Sequence, residues 1–284
     1  MIRQMAVEFG VGLLCETLGA SKSGYHAWRS RGPSARAKAD ERLGQKICAI
    51  HAAHRGRYGA PRIREELRDL GEPCARKRVA RLMRQQELRG VQKRAFRPKT
   101  TNSNHDGPIA PNLLPGLVCT RPDEIWLGDI TYIPTLEGWL YLAGVLDMYS
   151  RKIKGWKLED HMKDDLTLGA LERALQAAGC APTYSHTDRG VQYTSGDYRR
   201  RLALSSITPS MSRRGNCYDN ATMESFWSTL KSELFGAYVP ATKAEARRMI
   251  FEYIELYYNR RRKHSALGYQ SPVDFETNFR YEEN

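Results

Sequence analysis

The sequence predicts an all-α N-terminal region followed by a mixed α/β domain, and three features of the chain lead to this prediction. Through about residue 90, apolar residues recur at helical spacing between short glycine-containing breaks. From Glu124 onward, three strand-like segments come first, helices then alternate with strands, and helices follow. Between the two regions lies a polar stretch rich in proline, which favours an extended linker.

The chain divides into four predicted parts. Residues 1–56 form an N-terminal helical region, 57–90 a helix-turn-helix region, 91–121 a linker, and 122–284 the α/β domain with a C-terminal helix and tail. A length of 284 residues is enough for about two domains. We therefore expect one folded unit on each side of the linker.

Positive charge is concentrated in the first part of the chain. Residues 1–121 contain 24 Lys and Arg against 10 Asp and Glu, a net charge of +14, whereas residues 122–284 contain 21 against 22, a net charge of −1. A basic region joined to a neutral one predicts that the first binds a polyanion and the second has another task. On charge alone, a surface that only keeps the protein soluble remains the alternative.

Composition argues against several other classes of protein. The six cysteines are scattered, and the closest two are 26 positions apart, so neither a CxxC zinc site nor a disulfide framework is predicted. The longest apolar run, Trp139–Leu146, is too short to span a bilayer, and the chain begins without a secretory h-region. The sequence therefore predicts a cytoplasmic protein with no membrane partner.

Two helices around a glycine-containing turn are predicted within residues 57–90. Pro61 suits a first helical turn, Ile63 lies on the buried face, and Gly71 ends the helix. A second helix from about Ala75 to Leu88 has five basic residues on its surface, namely Arg76, Lys77, Arg78, Arg81 and Arg84. In a helix-turn-helix, the second helix enters the major groove, where arginines contact phosphates and guanine edges. An ordinary helical hairpin with a solvated basic face remains the alternative.

The α/β domain is predicted to start with a central strand, because Glu124–Ile133 is apolar on both faces. Further strands are predicted at Trp139–Leu146, Arg151–Leu158, Pro182–Thr187 and Ser206–Pro209. Helices are predicted at Leu166–Ala178, Asp197–Leu204, Ala221–Phe235 and Ala244–Tyr258, with a loop at Gly215–Asn220 and an irregular tail.

Two aspartates occupy strand positions where a carboxylate needs an explanation. Asp129 lies in the middle of an apolar strand, and an unpaired buried carboxylate costs on the order of several kcal/mol. It therefore requires either a metal ion or a Lys or Arg partner. Asp188 ends a strand just before Gly190, at the strand end where ligands gather in α/β sheets. A turn-capping role remains the alternative for Asp188.

A third acid, Glu224, lies on the helix that follows Asn220. Glu224 and Lys231 are seven positions apart and project together from the edge of the helix's apolar stripe. The pair can therefore face a cleft while the stripe packs on the sheet. A surface Glu and Lys remain the alternative on this spacing alone.

The three acids together predict a magnesium site. Mg²⁺ takes few protein carboxylates and keeps open positions for water and phosphate. Two such ions can activate an attacking oxygen and stabilise a leaving one in phosphodiester transfer. Asp147 is a rival acid, but its position before Met148 and Tyr149 favours a turn residue.

Several long motifs in one order resemble those of a known family, the second-frame (OrfB) transposases of bacterial insertion sequences, which have a retroviral-integrase-like core. The motifs are Tyr58–Ile63, Trp126–Tyr132, His186–Tyr193, Gly215–Trp227 and Tyr258–Arg260 with His264–Pro272, and 35 residues separate Asp188 from Glu224. The resemblance covers nearly the whole chain. Ala75 departs from it, since a Ser cap is expected there.

The resemblance implies an RNase H-like five-stranded mixed sheet with flanking helices. It implies that Asp129, Asp188 and Glu224 are the catalytic and metal-binding residues, with two Mg²⁺ ions for which Mn²⁺ can substitute. It implies that Lys231 contacts DNA near the site. The implied partners are double-stranded DNA, both insertion-sequence inverted repeats and target, further copies of the chain, and a first-frame product or a frameshift fusion with it. The implied location is the bacterial nucleoid.

Two other functions stay open on the sequence. A relic that binds element ends without cutting them would retain the basic region, although the intact acid triad argues against it. An RNase H-type nuclease acting on RNA–DNA hybrids would retain the acids, but a basic helix-turn-helix suits duplex DNA better.

Overall fold

The computed structural model describes residues 1–92, 107–213 and 220–282, which form two compact units, Met1–Gly90 and Val91–Asn284. Residues 93–106 of the predicted linker and all but the last residue of the predicted loop Gly215–Asn220 lie outside the described residues. Residues 107–121 of the predicted linker belong to the second unit, where the Leu113 amide donates to Ser210 Oγ (2.9 Å). Among the described helices, none is long and apolar enough to cross a membrane.

The first unit is helical, as predicted. Its helices are α1 (Ile2–Met5), α2 (Val11–Thr17), α3 (Lys22–Ser30), α4 (Ala35–Ala53), α5 (Ala60–Asp69) and α6 (Arg76–Gln85). Helices α4, α5 and α6 pack together, and Ile47, Ile63 and Val79 are fully buried among them. The predicted pair of helices around a turn is thus α5 and α6, and Gly71, with φ of 75°, follows the first of them.

In the part of the second unit that the structure describes, five strands form one mixed sheet in the order β3-β2-β1-β4-β5. The strands are β1 (Ile125–Thr135), β2 (Gly138–Asp147), β3 (Ile153–Glu159), β4 (Tyr184–Thr187) and β5 (Thr208–Met211). The first three are antiparallel, and β4 and β5 run parallel to β1. The predicted fold class, a five-stranded mixed sheet with flanking helices after a helical region, is confirmed.

Helices cover both faces of the sheet. They are α7 (Asp164–Ala178), α8 (Val191–Thr194), α9 (Gly196–Leu204), α10 (Ala221–Leu230), α11 (Lys243–Phe251) and α12 (Pro272–Glu282). Helix α7 packs on β2 and β3, where a Cβ on Gly155 would lie 2.4 Å from the backbone of Ala170. Only glycine at this position lets helix and strand approach so closely.

Two helices of the second unit pass directly into π-helical turns. Residues Lys231–Phe235 continue α10, and Glu252–Tyr258 continue α11. Each predicted helix, Ala221–Phe235 and Ala244–Tyr258, is therefore found, but its second part is wound more widely than an α-helix. π-Helical turns inside helices often occur at functional sites.

The prediction of an irregular tail was wrong for its last residues, because α12 begins at Pro272. The Ser271 hydroxyl accepts from the Asp274 amide (3.2 Å), and Pro272 stands at the first helical position. The helix also gains a buried ion pair, since Glu276 accepts from the buried Lys154 ammonium (2.9 Å). The helix-start signal of Ser271 and Pro272 was present in the sequence. The ion pair was not predictable, because it joins residues too far apart in the chain for periodicity to reveal.

A buried ion pair holds the first part of the tail against the π-helical turn after α10. Arg262 donates to Glu233 through Nη2 (2.6 Å) and Nε (2.9 Å), and Tyr253 donates its hydroxyl to the same carboxylate (3.0 Å). Both charged side chains are at least nine-tenths buried. Removing one partner of such a pair would leave an uncompensated charge.

We expect Arg262→Ala to lower the free energy of unfolding by about 3–5 kcal/mol, because Glu233 would stay buried without its guanidinium partner. Urea unfolding of the full chain measures the change. The exposed neighbour Arg260 gives the matched control, and Arg260→Ala should stay within about 0.5 kcal/mol of wild type. Equal stability of the two variants would show that the pair does not hold the tail in place.

Candidate active site

Asp129 and Asp188 lie side by side because of the parallel pairing between β1 and β4. The last paired positions are Gly128 and Thr187, and each aspartate is the next residue in its chain. Neighbouring strands lie about 4.8 Å apart, and side chains at matched positions of parallel strands point to the same face. The structure therefore brings these two predicted site residues together.

The Asp129 carboxyl is held by a donor on each oxygen. Oδ1 accepts from the Ile130 amide (2.8 Å), and Oδ2 accepts from the indole Nε1 of Trp227 (3.0 Å). The pKa of Asp129 is raised to about 8, mainly by burial and also by the nearby charges of Asp188 and Glu224, against the lowering effect of the two donors. An ionised Asp129 therefore needs positive charge beside it.

Asp188 follows β4 in a tight turn. Its Oδ1 accepts from the Gly190 amide (2.9 Å), and a Cβ on Gly190 would lie 3.0 Å from the same oxygen. The strand before it is fixed by His186, which is fully buried between the hydroxyls of Ser210 (2.8 Å) and Ser212 (3.0 Å). The turn thus displays the carboxylate beyond a rigid strand end.

Glu224 lies in the first turn of α10, on an exposed position of that helix. The helix packs on the face of the sheet that carries Asp129, since Gly144 pairs with Asp129 and a Cβ on Gly144 would lie 2.9 Å from Met223 and Trp227. Partial burial raises the pKa of Glu224. Its carboxylate is near enough to Asp129 to oppose ionisation there.

Lys231 lies at the junction between α10 and the π-helical turn. Its ammonium is half-buried, and burial lowers its pKa to about 8, while the Asp129 carboxylate opposes that shift. The structure therefore brings Lys231 to the aspartate pair. This arrangement agrees with the spacing argument, by which Glu224 and Lys231 project from one side of the helix.

The donor set of this cleft suits a hard divalent cation. Carboxylate oxygens are the protein ligands that Mg²⁺ prefers, and two adjacent carboxylates need compensation by positive charge. Within residues 1–92, 107–213 and 220–282, no group of three or more His, Cys, Asp or Glu side chains is close enough together to hold a metal ion. Asp129 and Asp188 are adjacent, and Glu224 is exposed beside them on α10.

The rival acid Asp147 is part of a turn, in agreement with the sequence interpretation. It is fully buried, and its carboxyl accepts from the amides of Ser150 (2.7 Å) and Asp123 (2.6 Å). Burial raises the pKa of Asp147, and the two amides oppose that shift. These bonds stabilise the connection between β2 and β3.

The basic residues of α6 fall into two groups. Arg76, Lys77 and Arg84 are exposed. Arg78 and Arg81 instead bind Asp40 of α4, at 2.7 Å and 2.6 Å, and these two guanidinium groups lower the pKa of Asp40. The helix starts at Arg76, and its N-cap residue Ala75 provides no side-chain cap.

Sequence reasoning missed two partners of the predicted residues. The apolar spacing along α10 places Trp227 on the buried stripe of the helix and gives it no polar partner. The available signal was that a buried indole N–H usually finds an acceptor. Asp40, which lies 38 and 41 positions before its two arginine partners, had no such signal.

Comparison with family models assigns the two units to known domain types. An integrase core domain matches residues 119–217, a second integrase core model matches residues 205–272, and an HTH-like domain matches residues 38–96. The HTH-like match includes α4, so this helix belongs with the α5 and α6 pair.

Full-length relatives place the chain in a family. It is 46% identical over 94% of its length to a 31 kDa protein of insertion element IS600 of Shigella sonnei, covering 98% of that protein. It is 45% identical over 87% of its length to the transposase of IS904 of Lactococcus lactis, covering 98% of it, and 38% identical over 97% to transposase InsF of IS3A of Escherichia coli, covering 96%. The chain therefore belongs to the insertion-sequence transposases with an integrase core, the Asp-Asp-Glu class of polynucleotidyl transferases.

Among solved structures, the HTLV-2 integrase catalytic core domain in complex with magnesium matches at a TM-score of 0.45 and 16% identity, covering 56% of this chain and 99% of that one. Membership of the integrase family implies that a divalent metal is required.

We expect Asp129→Asn to stabilise the metal-free protein increasingly as pH rises. Because the pKa of Asp129 is raised to about 8, the folded protein keeps this proton where the unfolded chain, with a pKa near 3.9, has lost it. Wild-type stability therefore falls between about pH 4 and pH 8 and levels off above, whereas the amide does not titrate. Urea unfolding in a chelator at pH 5 and pH 8 measures the free energy of unfolding of both proteins. The stability advantage of Asp129→Asn over the wild type is expected to be roughly 1–3 kcal/mol larger at pH 8 than at pH 5.

Added Mg²⁺ at pH 8 provides the internal control for this comparison. It should stabilise the wild type and leave Asp129→Asn nearly unchanged, since a ligand stabilises only the state that binds it. A pH-independent difference between the two proteins would contradict the environment assigned to Asp129.

Proposed function

We propose that Asp129, Asp188 and Glu224 hold divalent metal ions that catalyse DNA cleavage and strand transfer at the ends of an insertion sequence. The observation that carries the proposal is the pairing of β1 with β4, which sets two carboxylates side by side under the helix that bears the third. Family membership supports the reaction class, and the spacing of the three acids supports their assignment.

Each residue has a distinct task in this proposal. Asp129 is the central ligand, because it lies between Asp188 and α10 and both of its oxygens are held by donors. Two Mg²⁺ ions, with Mn²⁺ as a substitute, would activate the attacking 3′-hydroxyl or water and stabilise the leaving oxygen. Lys231 brings positive charge to the cleft, where it would bind a phosphate of the DNA.

The proposed substrate is duplex DNA, comprising the inverted repeats of the element and a target. The HTH-like domain would bind the ends, and the integrase core would cut and join them. The division into residues 1–56, 57–90, 91–121 and 122–284 is retained as a proposal. We also propose assembly of several copies on DNA in the bacterial nucleoid, and joint action with a first-frame product, either separate or as a frameshift fusion.

We expect Asp129→Asn, Asp188→Asn and Glu224→Gln each to lower strand cleavage by about 10³-fold or more, because the amide keeps the shape and removes the charge that the metal needs. The assay is nicking of duplex DNA that carries the element ends, in Mg²⁺. Gel shifts on the same DNA should change by no more than a few-fold.

Glu172→Gln is the matched control, since Glu172 is an exposed acid on α7. Its cleavage rate should equal that of the wild type. Substantial cleavage by any of the three triad variants would refute the assignment. An inactive wild type that still binds the ends would favour the non-cutting relic, and preferential cleavage of RNA–DNA hybrids would favour the RNase H-type nuclease.

We expect DNA binding to depend most on the exposed residues of α6. Replacing Arg76, Lys77 and Arg84 together with Ala should flatten the slope of log K against log salt by up to about 2.7 units, because each phosphate contact contributes about −0.9. The charge-matched control replaces Arg29, Arg31 and Arg36, which are exposed outside α6. Equal slopes for both triple variants would mean that α6 has only a solvated basic face.

Asp40→Asn tests whether Arg78 and Arg81 are also available to DNA. Loss of the carboxylate would release both guanidinium groups from α4. If they bind phosphates once released, the variant should show a steeper salt dependence and tighter binding than the wild type. Weaker binding would instead mean that Asp40 positions the two arginines for DNA contact.

A further inference from the structure

One indole in the second unit contacts a carboxylate of the candidate site directly. Trp227 donates its Nε1–H to Asp129 Oδ2 (3.0 Å), while the Ile130 amide donates to Oδ1 (2.8 Å). The two donors bond different oxygens of the carboxyl group, one from β1 itself and one from α10. Together they determine the rotation of the carboxyl plane.

The indole is placed there by packing. Trp227 is 6% exposed, and its ring lies over Gly144, the β2 residue paired with Asp129. A Cβ at position 144 would lie 2.9 Å from the ring, so only glycine lets the ring lie this close to the sheet. The ring of Phe226 lies beside it, with centroids 4.8 Å apart. A ring fixed by packing on these sides can offer its N–H in one direction only.

We propose that Trp227 is a positioning residue, which orients the Asp129 carboxylate so that each oxygen would keep a lone pair open to a metal ion. An ionised carboxylate has about four acceptor sites, of which these two donors occupy two. The remaining two acceptor sites would be open to metal ions. This inference rests on the proposed role of Asp129 as a metal ligand, and it adds a residue that would act through the Asp129 carboxylate.

The N–H bond, rather than the bulk of the ring, carries this role. Phenylalanine at 227 would retain an aromatic ring in the same packing but could not donate to Asp129. Hydrogen-bond partners that orient metal ligands typically change metal affinity or activity by about 10- to 100-fold when they are removed. Since the Ile130 amide remains in place, we expect the loss of the indole N–H to change metal affinity by an amount at the lower end of this range.

The test is the Mg²⁺ dependence of strand cleavage by full-length Trp227→Phe. The Mg²⁺ concentration for half-maximal cleavage should rise by about 3- to 30-fold, whereas the rate at saturating Mg²⁺ and the affinity for DNA should change less. Trp126→Phe is the matched control, because Trp126 is buried in the same sheet and donates its indole N–H to Asp123 (2.9 Å). That control should leave the Mg²⁺ requirement at the wild-type value.

A second measurement does not depend on activity. In full-length protein labelled with ¹⁵N-tryptophan, the indole signal of Trp227, assigned by its loss in Trp227→Phe, should shift when Mg²⁺ is added, and the signal of Trp126 should not. Asp129→Asn should move the Trp227 signal and abolish its response to Mg²⁺. Gly144→Ala, which keeps the indole but displaces its ring, should raise the Mg²⁺ requirement in the same direction as Trp227→Phe.

The outcomes separate the inference from the proposed function. The positioning role is overturned if Trp227→Phe requires the same Mg²⁺ concentration as the wild type, or if the indole signal of Trp227 does not shift when Mg²⁺ is added. Neither result would affect the proposed function as long as Asp129→Asn is inactive. If Asp129→Asn itself cleaves DNA, the proposed function is wrong, and the positioning role of Trp227 is then wrong as well, because it depends on Asp129 being a metal ligand. Equal effects of Trp227→Phe and Trp126→Phe on the Mg²⁺ requirement would also overturn the inference, because they would reflect general loosening of the sheet.

Discussion

Two carboxylates placed side by side on neighbouring parallel strands repel each other, and the surroundings of the pair follow from that constraint. Asp129 and Asp188 occupy matched positions because β1 and β4 are in register up to Gly128 and Thr187. Burial and mutual repulsion both raise the pKa of Asp129. A protein that only had to fold would gain stability by removing such a pair, so its presence indicates a site that recruits positive charge.

Two glycines let the elements around the pair approach it closely. Gly190 makes the turn that displays Asp188, and Gly144 admits the ring of Trp227 against the sheet. Helix α10 then carries Glu224 in its first turn, and Lys231 follows its last residue, close enough to Asp129 for the carboxylate to influence the pKa of the lysine. A lysine with its pKa lowered by burial offsets two carboxylates only in part, and the integrase family requires a divalent metal.

The C-terminal tail contributes to this geometry from outside the cleft. Glu233 stands in the same π-helical turn as Lys231, and its buried pairing with Arg262 fixes that turn. At the other end of α10, Arg151 donates to the Thr222 hydroxyl, and the Tyr258 hydroxyl donates to the Arg151 carbonyl (3.1 Å). The tail and the π-helical turn before it thus help to set the position of the helix that carries Glu224 and leads into Lys231.

The strands and most helices could be predicted from the sequence because their signals are local. An apolar run on both faces identified β1, and a carboxylate in its middle was then conspicuous. The adjacency of Asp129 to Asp188 needed the parallel register, which no local pattern specifies. The bonds from Trp227 to Asp129 and from Arg78 and Arg81 to Asp40 join residues at least 38 positions apart, so they depend on how elements pack.

The most direct test of the central claim, that Asp129, Asp188 and Glu224 bind the same metal ions, is iron-directed cleavage of the protein backbone. Fe²⁺ replaces Mg²⁺ in the full-length protein, ascorbate and peroxide generate hydroxyl radicals at the bound ion, and the cut positions are mapped by mass spectrometry. We predict cuts near residues 129, 188 and 224 together, all suppressed by excess Mg²⁺. Cuts near only one of the three positions, or cuts that excess Mg²⁺ does not suppress, would contradict a shared metal site.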